Sequence, residues 1–434
     1  MYQEISKLLM YGDLSQDEIL YKLGQLFEQF EVGEYNKTEL VRDINTQVKR
    51  ILKVATDYGF DDNLWHNYLT FFLMMSENPF SITCEKVGAS DGSVNGLVAN
   101  DFRIFKKLFD YDFKPIESAL GIDCFTQISN YKAIVKKDLM YNHNVSEKVR
   151  ALSKKLEAAK DEQEFFDVVT GFYKAYGVGM FGLNKAFRIE EHLDGGFSFM
   201  PINNMDAVML DDLIGYEIQK KKLTDNTEAF VQGRKANNVL LFGDAGTGKS
   251  TSIKAILNEY YDQGLRMIEI YKHQFKDLSG VIARIKNRNY RFIIYMDDLS
   301  FEEFEIEYKF LKAVIEGGLE KRPDNVLIYA TSNRRHLVRE KYSDKEERDD
   351  DLHTRDTVAE KLSLSARFGV SVYFGSPDKK LFNEIVKGLA QKNNIKVDEN
   401  TLLMEANKWE LSHGGLSGRT AEQFISYMVS AYAD

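Results

Sequence analysis

The residues with the clearest chemical potential form a glycine-rich stretch in the second half of the 434-residue chain. It reads Gly243-Asp244-Ala245-Gly246-Thr247-Gly248-Lys249-Ser250-Thr251 and matches G-x-x-x-x-G-K-[ST]. An apolar run precedes it and a helical pattern follows. Glycines allow successive backbone N–H groups to point at one anion beside a helix N-terminus. The pattern predicts a phosphate loop in which Lys249 contacts nucleotide phosphates and Ser250 binds Mg²⁺.

An acidic pair follows the apolar run Phe292–Met296. The carboxyl end of a buried parallel strand would deliver these side chains to the phosphate crevice. Asp297 is therefore predicted to bind Mg²⁺, and Asp298 to orient or deprotonate an attacking water. Glu302 and Glu303 lie close enough in sequence to share the role of base.

A third polar group ends the apolar run Val326–Ala330. Asn333 is the residue of interest there, because its amide would reach a water or the γ-phosphate from the end of a third parallel strand. This position predicts a side chain that senses whether the nucleotide has been hydrolysed.

The elements that must position these residues follow from hydrophobic patterning. Short apolar runs alternate with helical patterns after residue 200, which is typical of a parallel sheet covered on both faces. The strand runs are Val239–Phe242, Met267–Tyr271, Phe292–Met296, Val326–Ala330 and Val370–Phe374. We predict an α/β fold of the P-loop NTPase class with three parts: a mostly helical domain over 1–196, a nucleotide-binding domain over 197–375 and a helical lid over 376–434. A linker is expected near 195–213, where glycines, a proline and paired asparagines cluster.

Composition excludes several classes of protein. The net charge of −10 argues against one broad nucleic-acid surface. Cys84 and Cys124 are isolated and no CxxC occurs, so a disulfide framework and structural zinc are not expected. The longest near-continuous apolar run, Tyr68–Met75, is far shorter than the roughly 20 residues of a membrane span. The N-terminus lacks a signal-peptide pattern, so we expect a cytoplasmic protein without a membrane partner.

With these motifs in place, the chain resembles an AAA+ ATPase. More closely, it is similar to a bacterial family of predicted AAA+ ATPases without an assigned role, near helicase-loader and initiator-like members. The resemblance is densest over 197–427, and the phrase ENPFSITCE also fits. The matching stretches are LIGYEIQKKKLTDNTEAFVQGRKANNVLLFGDAGTGKS, MDDLSFEE, LIYATSNRRHL, EKLSLSARFG and GGLSGRTAEQF.

The resemblance implies roles for further residues. Ile214, Gly215 and Tyr216, with Leu213 before them, would pack on adenine, and Asn333 matches the first sensor. Arg367 matches an arginine finger that would act in a neighbouring subunit, and Arg419 matches the second sensor, which contacts the nucleotide of its own subunit. Most AAA+ proteins place Glu after the metal-binding Asp, whereas this chain has Asp298, so hydrolysis is expected to be slow.

The resulting expectation is an oligomeric ATPase that binds ATP, ADP and Mg²⁺ and remodels or assembles an unidentified macromolecular partner bound by residues 1–200. A nucleotide switch with little turnover, a helicase-loader-like DNA-associated ATPase and a small-molecule kinase remain alternatives. The mixed-charge segment Arg339–Lys361 is interpreted as a solvated loop or a switch segment. Gln219–Lys222 and Arg334-Arg335 are small basic patches that fit phosphate, carboxylate or nucleic acid equally well.

Overall fold

The computed structural model describes residues 1–90, 92–134, 143–193, 195–203, 205–301, 307–316, 323–334, 337 and 364–431. The chain divides into two compact units, Met1–Asn184 and Lys185–Asp434. Each unit has its own apolar core.

Unit 1 is helical throughout its described elements. Its helices are α1 (Tyr2–Ile5), α2 (Ile19–Val32), α3 (Lys37–Tyr58), α4 (Leu64–Met75), α5 (Pro79–Val87), α6 (Ser93–Phe109), α7 (Lys114–Leu120), α8 (Cys124–Ser129), α9 (His143–Ala158), α10 (Glu162–Tyr176) and α11 (Gly179–Leu183). Side-chain caps fix several helix starts: Asn36 accepts from the N–H groups of Thr38 and Glu39. The buried Asp101 carboxylate accepts backbone N–H bonds from residues 9–11, which secures the N-terminal segment to α6.

Unit 2 is built on a seven-stranded sheet with the order β2-β1-β4-β5-β6-β3-β7. The strands are β1 (Ala186–Glu191), β2 (Phe197–Pro201), β3 (Val239–Gly243), β4 (Leu265–Glu269), β5 (Arg291–Met296), β6 (Val326–Ser332) and β7 (Val370–Phe374). The pairing is parallel except between β1 and β2. The five strands predicted from apolar runs are all present, and the predicted α/β class is confirmed.

Helices of unit 2 cover the sheet and form the lid. The first group is α12 (Glu217–Val231), α13 (Lys249–Tyr260), α14 (Leu278–Ile285) and α15 (Glu307–Glu316). The lid comprises α16 (Lys379–Lys392), α17 (Glu399–Ser412) and α18 (Gly418–Ala431), all within the range 376–434 predicted to be helical. Its core is built around Phe382, Val386 and Phe424.

The structure differs from the sequence prediction between residues 185 and 201. This stretch, expected to end a helical domain and begin a linker, contains β1 and β2 instead. The first compact unit therefore ends at Asn184 rather than at residue 196. The physical reason is that β1 hydrogen-bonds to β4, with Ala186 opposite Met267, so it extends the sheet of unit 2.

Among the described residues, no helix combines the length and the apolar character that crossing a bilayer requires.

Candidate functional site

The glycine-rich stretch forms a loop between the end of β3 and the start of α13. Gly243, Gly246 and Gly248 all have positive φ, at 136°, 73° and 89°. At Gly243 a Cβ would collide with the backbone oxygen of Phe374 on β7, so the close approach of the two strands requires glycine there. Positive φ at the other two glycines turns the chain around the N-terminus of α13, where unpaired N–H groups favour an anion.

Lys249 begins α13 and is 7% exposed. Its ammonium donates to the backbone oxygens of Gly243 (3.0 Å) and Asp244 (2.5 Å) and to Asn333 Oδ1 (3.0 Å). Burial lowers the pKa of Lys249, although the carboxylates of Asp244, Asp298 and Asp297 oppose the shift. Within the described residues no carboxylate forms an ion pair with this nitrogen, so the loop holds a buried cation on neutral oxygens alone.

Ser250 and Asp297 meet across two elements. The Ser250 hydroxyl donates to Asp297 Oδ1 at 2.7 Å, and the Thr331 hydroxyl donates to the same oxygen at 2.5 Å. Partial burial acts to raise the pKa of Asp297, but hydrogen bonds from Thr331 and Ser250 outweigh it and hold the pKa below its usual value. Asp297 is therefore poised as an anion at the end of β5.

Asp298 and Asn333 form a second linked pair. Asn333 Nδ2 donates to Asp298 Oδ1 at 2.9 Å, while Asn333 Oδ1 accepts from Lys249. Asp298 has a φ of 48°, which turns its side chain away from the strand direction, and its N–H donates to Thr331 Oγ1 at 2.9 Å. The ends of β5 and β6 thus place the predicted base and the predicted first sensor in direct contact with each other.

A cavity of about 550 Å³ lies over the loop, within the size range of small-molecule sites. It is lined by the loop from Ala245 to Thr251, by Asp297, Asp298 and Asn333, by Leu213, Ile214 and Tyr216, and by the lid residues Ile385, Leu389 and Arg419. The backbone N–H of Arg419 donates to the oxygen of Gly246 at 3.2 Å. The predicted phosphate-binding, adenine-packing and second-sensor residues therefore border one cavity, with Gly215 between two of the lining residues.

Tyr216 takes up an unusual position at the start of α12. It is the N-cap residue with a φ of 59°, and its hydroxyl donates to the backbone oxygen of Gly375 at 2.8 Å. Its ring lies 5.3 Å from that of Phe374, measured between centroids. Burial, with Asp244 next, raises the pKa of Tyr216 to about 12. The phenol therefore joins the segment before α12 to the end of β7.

Arg367 does not line this cavity. It forms an ion pair with Glu316, the last residue of α15. The role of Arg367 in a neighbouring subunit therefore stays a prediction. Glu302, Glu303, Arg335 and the segment Arg339–Lys361 lie outside the described residues.

Sequence reasoning missed several side-chain contacts near the cavity. Thr331 ties together the two aspartates, and Asp244 accepts two bonds from Ser376, from its N–H at 2.7 Å and its hydroxyl at 2.9 Å. Lys392 of the lid pairs with Asp212 at 2.7 Å. Thr331 was visible as a polar residue ending a strand, whereas the other two contacts join residues more than 130 positions apart.

The oxygen ligands and the ammonium beside the loop fit what a magnesium–nucleotide pair requires. Mg²⁺ prefers oxygen ligands and retains several waters, so one hydroxyl and one carboxylate beside a phosphate site suit it. Ser250 Oγ and Asp297 Oδ1 already converge. The buried Lys249 ammonium, which contacts only neutral oxygens, suits a polyanion. The residues present therefore fit the group.

These features define an α/β protein with a P-loop, in which the glycine-rich loop, the acidic strand end and the C-terminal helices border one cavity; the predicted α/β fold class is confirmed. Residues 183–432 match the family described as "Protein of unknown function (DUF815)", and the chain belongs to that family.

Further comparisons describe what the chain is similar to. A RuvB mutant from Thermotoga maritima matches with a TM-score of 0.37 and 16% identity, over 52% of this chain and 67% of that one. The FIGL-1 AAA domain in complex with ADP matches with a TM-score of 0.36 and 17% identity, over 52% and 74%. No curated protein matches the chain.

Proposed function

We propose that the chain binds ATP with Mg²⁺ in this cavity and hydrolyses it to ADP and phosphate. The observation that carries the proposal is the convergence of Ser250 and Asp297, 2.7 Å apart, beside the buried ammonium of Lys249. Two elements distant in sequence, the start of α13 and the end of β5, bring a cation, a hydroxyl and a carboxylate to one point, which is the set that phosphoryl transfer uses.

Each side chain has a distinct task in this proposal. The Lys249 ammonium exchanges the backbone oxygens that it contacts for phosphate oxygens. Ser250 and Asp297 hold Mg²⁺, which when bound neutralises phosphate charge. Asp298 orients the attacking water, and Asn333 links that aspartate to the phosphate end of the cavity. Leu213, Ile214 and Tyr216 contact the base, while Arg419 contacts the phosphates from the lid.

The proposal extends to an assembly. Arg367 acts in the site of a neighbouring copy, so the active form is a cytoplasmic homo-oligomer. Unit 1 binds a macromolecular partner, which the hydrolysis cycle remodels or assembles. The position of Arg367 outside the cavity of its own copy supports the proposed role of Arg367 alone.

The first prediction tests binding apart from turnover. Lys249→Ala should weaken ATP binding by about 10- to 100-fold, because a charged hydrogen-bond donor is lost. Asp298→Asn should retain binding but lower turnover by about 10²- to 10⁴-fold. It should also fold normally, since asparagine tolerates positive φ. Calorimetric ATP titration and a phosphate-release assay measure the two quantities.

The matched control is Lys254→Ala on the same helix, where the ammonium pairs with Asp206 at the surface. This variant should bind ATP like the wild type. Equal ATP affinity of wild type and Lys249→Ala would contradict the site, and unchanged turnover in Asp298→Asn would remove that residue from the mechanism.

A second candidate function is a nucleotide-dependent switch with little turnover. The hydrogen bond that Asn333 Nδ2 donates to Asp298 Oδ1 favours it, because it takes up part of the acceptor capacity of the carboxylate that would orient the water. Steady-state hydrolysis separates the two: a switch binds ATP tightly and releases almost no phosphate even when assembled.

A further inference from the structure

Tyr295 has a hydroxyl that the folded chain leaves unbonded. The residue lies on β5, two positions before Asp297, and is 4% exposed. Its oxygen is buried and has no hydrogen-bond partner within the part of the chain that the structure describes. Leaving a buried polar group unpaired lowers the free energy of unfolding, and a phenylalanine here would avoid that cost.

The hydroxyl faces the predicted magnesium ligands. Side chains alternate along a strand, so Tyr295 and Asp297 lie on the same face of the sheet. Burial is the main cause of the raised pKa of the phenol; the neighbouring Asp297 carboxylate adds to the rise, and the neighbouring Ser250 hydroxyl opposes it. The phenol therefore stands beside the Ser250–Asp297 contact without a bond of good geometry to either partner.

A second buried tyrosine on the neighbouring strand provides the contrast. Tyr329 of β6 is the register partner of Tyr295 and is also fully buried. Its hydroxyl is bonded to Thr227 Oγ1 at 2.8 Å and accepts from Asn226 Nδ2 at 3.1 Å. Within the described residues, side chains hydrogen-bond the hydroxyl of Tyr329, whereas the buried hydroxyl of Tyr295 has no hydrogen bond of good geometry.

We propose that Tyr295 is a positioning residue for the magnesium shell. When the site is filled, its hydroxyl donates to the Asp297 carboxylate and accepts a hydrogen bond from a water that Mg²⁺ retains. Magnesium keeps several waters in protein sites, and groups that orient ligands from behind typically contribute 10- to 100-fold in metal affinity. The inference rests on the proposed function, since it presumes that Mg²⁺ binds with ATP.

The test uses Tyr295→Phe in the full chain, with Tyr329→Phe as the matched control. Binding of a fluorescent ATP analogue is measured while MgCl₂ is varied, and again in EDTA. Tyr295→Phe should need about 10- to 100-fold more Mg²⁺ for half-maximal binding, with unchanged binding in EDTA. Tyr329→Phe should keep the wild-type Mg²⁺ requirement.

Denaturant unfolding in EDTA supplies a readout that does not involve the metal. Tyr295→Phe should be as stable as the wild type or more so, because it removes an unpaired polar atom. Tyr329→Phe should be less stable, because it removes the two buried hydrogen bonds to Thr227 and Asn226.

Three outcomes would overturn the inference. If Tyr295→Phe needs the same Mg²⁺ as the wild type, the inference fails while the proposed function stands. If Tyr295→Phe loses stability in EDTA, its hydroxyl already has a partner and the premise is wrong. If wild-type binding does not respond to Mg²⁺ at all, the proposed function fails and takes this inference with it.

Discussion

At the scale of single residues, the cavity is set by a few polar contacts that fix charged groups before any ligand arrives. Asp297 is held ionised by two hydroxyl donors, and Lys249 is held by backbone oxygens. Pre-orientation of this kind lowers the entropic cost of binding a polyanion. Asp244 anchors the other side of the loop through Ser376, so the loop is fixed at both ends.

The Asp244 anchor predicts a pH dependence of stability. The backbone N–H of Ser376, followed by its hydroxyl, holds the pKa of Asp244 below its usual value. Because the folded pKa lies below the unfolded one, the stabilisation is complete above about pH 4 and fades as the pH falls through the folded pKa. Asp244→Asn should therefore be less stable than the wild type at pH 7, with a gap that narrows toward pH 3.

Urea unfolding across this pH range measures the gap. Asp211→Asn is the control, since that exposed carboxylate accepts no hydrogen bond from the described residues. A gap for Asp244→Asn that stays constant from pH 7 to pH 3 would show that the Ser376 contact does not depend on charge.

At the scale of elements, the sheet depends on a strand that lies N-terminal to the nucleotide-binding motifs. β1 sits between β2 and β4, and its Phe187 and Ile189 are buried. Without β1, the hydrogen-bonding edge of β4 would be open and β2 would lose its partner. The α/β unit therefore needs its first strand to close the sheet.

Two fragments test this requirement. Residues 185–434 should fold and bind ATP like the full chain, whereas residues 197–434 should unfold at lower denaturant concentration and tend to aggregate. The reason is the exposed edge of β4 and the lost burial of Phe187 and Ile189. Unfolding midpoints and light scattering measure both effects, and equal midpoints for the two fragments would contradict the role of β1.

The same elements show what the sequence could predict. β3 to β6 are buried on both faces, so they read as continuous apolar runs, whereas the edge strand β7 alternates buried and exposed residues. In β1 the buried Phe187 and Ile189 alternate with Arg188 and Glu190, which breaks the run. β2 is short, with glycines before it and a proline at its end, so it resembled a linker. The unbonded hydroxyl of Tyr295 depends on packing that no local pattern encodes.

At the scale of the whole molecule, the family assignment and the compact units nearly coincide. The family match begins at residue 183, and the second compact unit begins at Lys185. Unit 1, with its own apolar core, lies almost entirely outside that match. The proposed nucleotide site therefore lies within the family match, whereas the residues proposed to bind a partner lie almost entirely outside it.

A mixing experiment tests whether Arg367 acts between copies of the chain. Arg367→Ala should lower turnover by roughly 10³-fold or more, and Lys249→Ala should also be inactive. An equal mixture should regain activity at about one quarter of the sites by random pairing, because an intact site can meet an intact Arg367. Phosphate release from the mixture measures this, and a mixture as inactive as its components would contradict action in trans.

The contacts between the lid and the phosphate loop bear on how the cavity empties. The backbone N–H of Arg419 is hydrogen-bonded to the oxygen of Gly246, and Lys392 forms an ion pair with Asp212. Two separate contacts therefore join residues on opposite sides of the cavity lining. In the proposed cycle, opening the lid to release ADP would break both contacts. The Lys392 ion pair is partly exposed and weakens with ionic strength, whereas the backbone hydrogen bond does not. A partner that moved the lid outward would therefore speed the release of product.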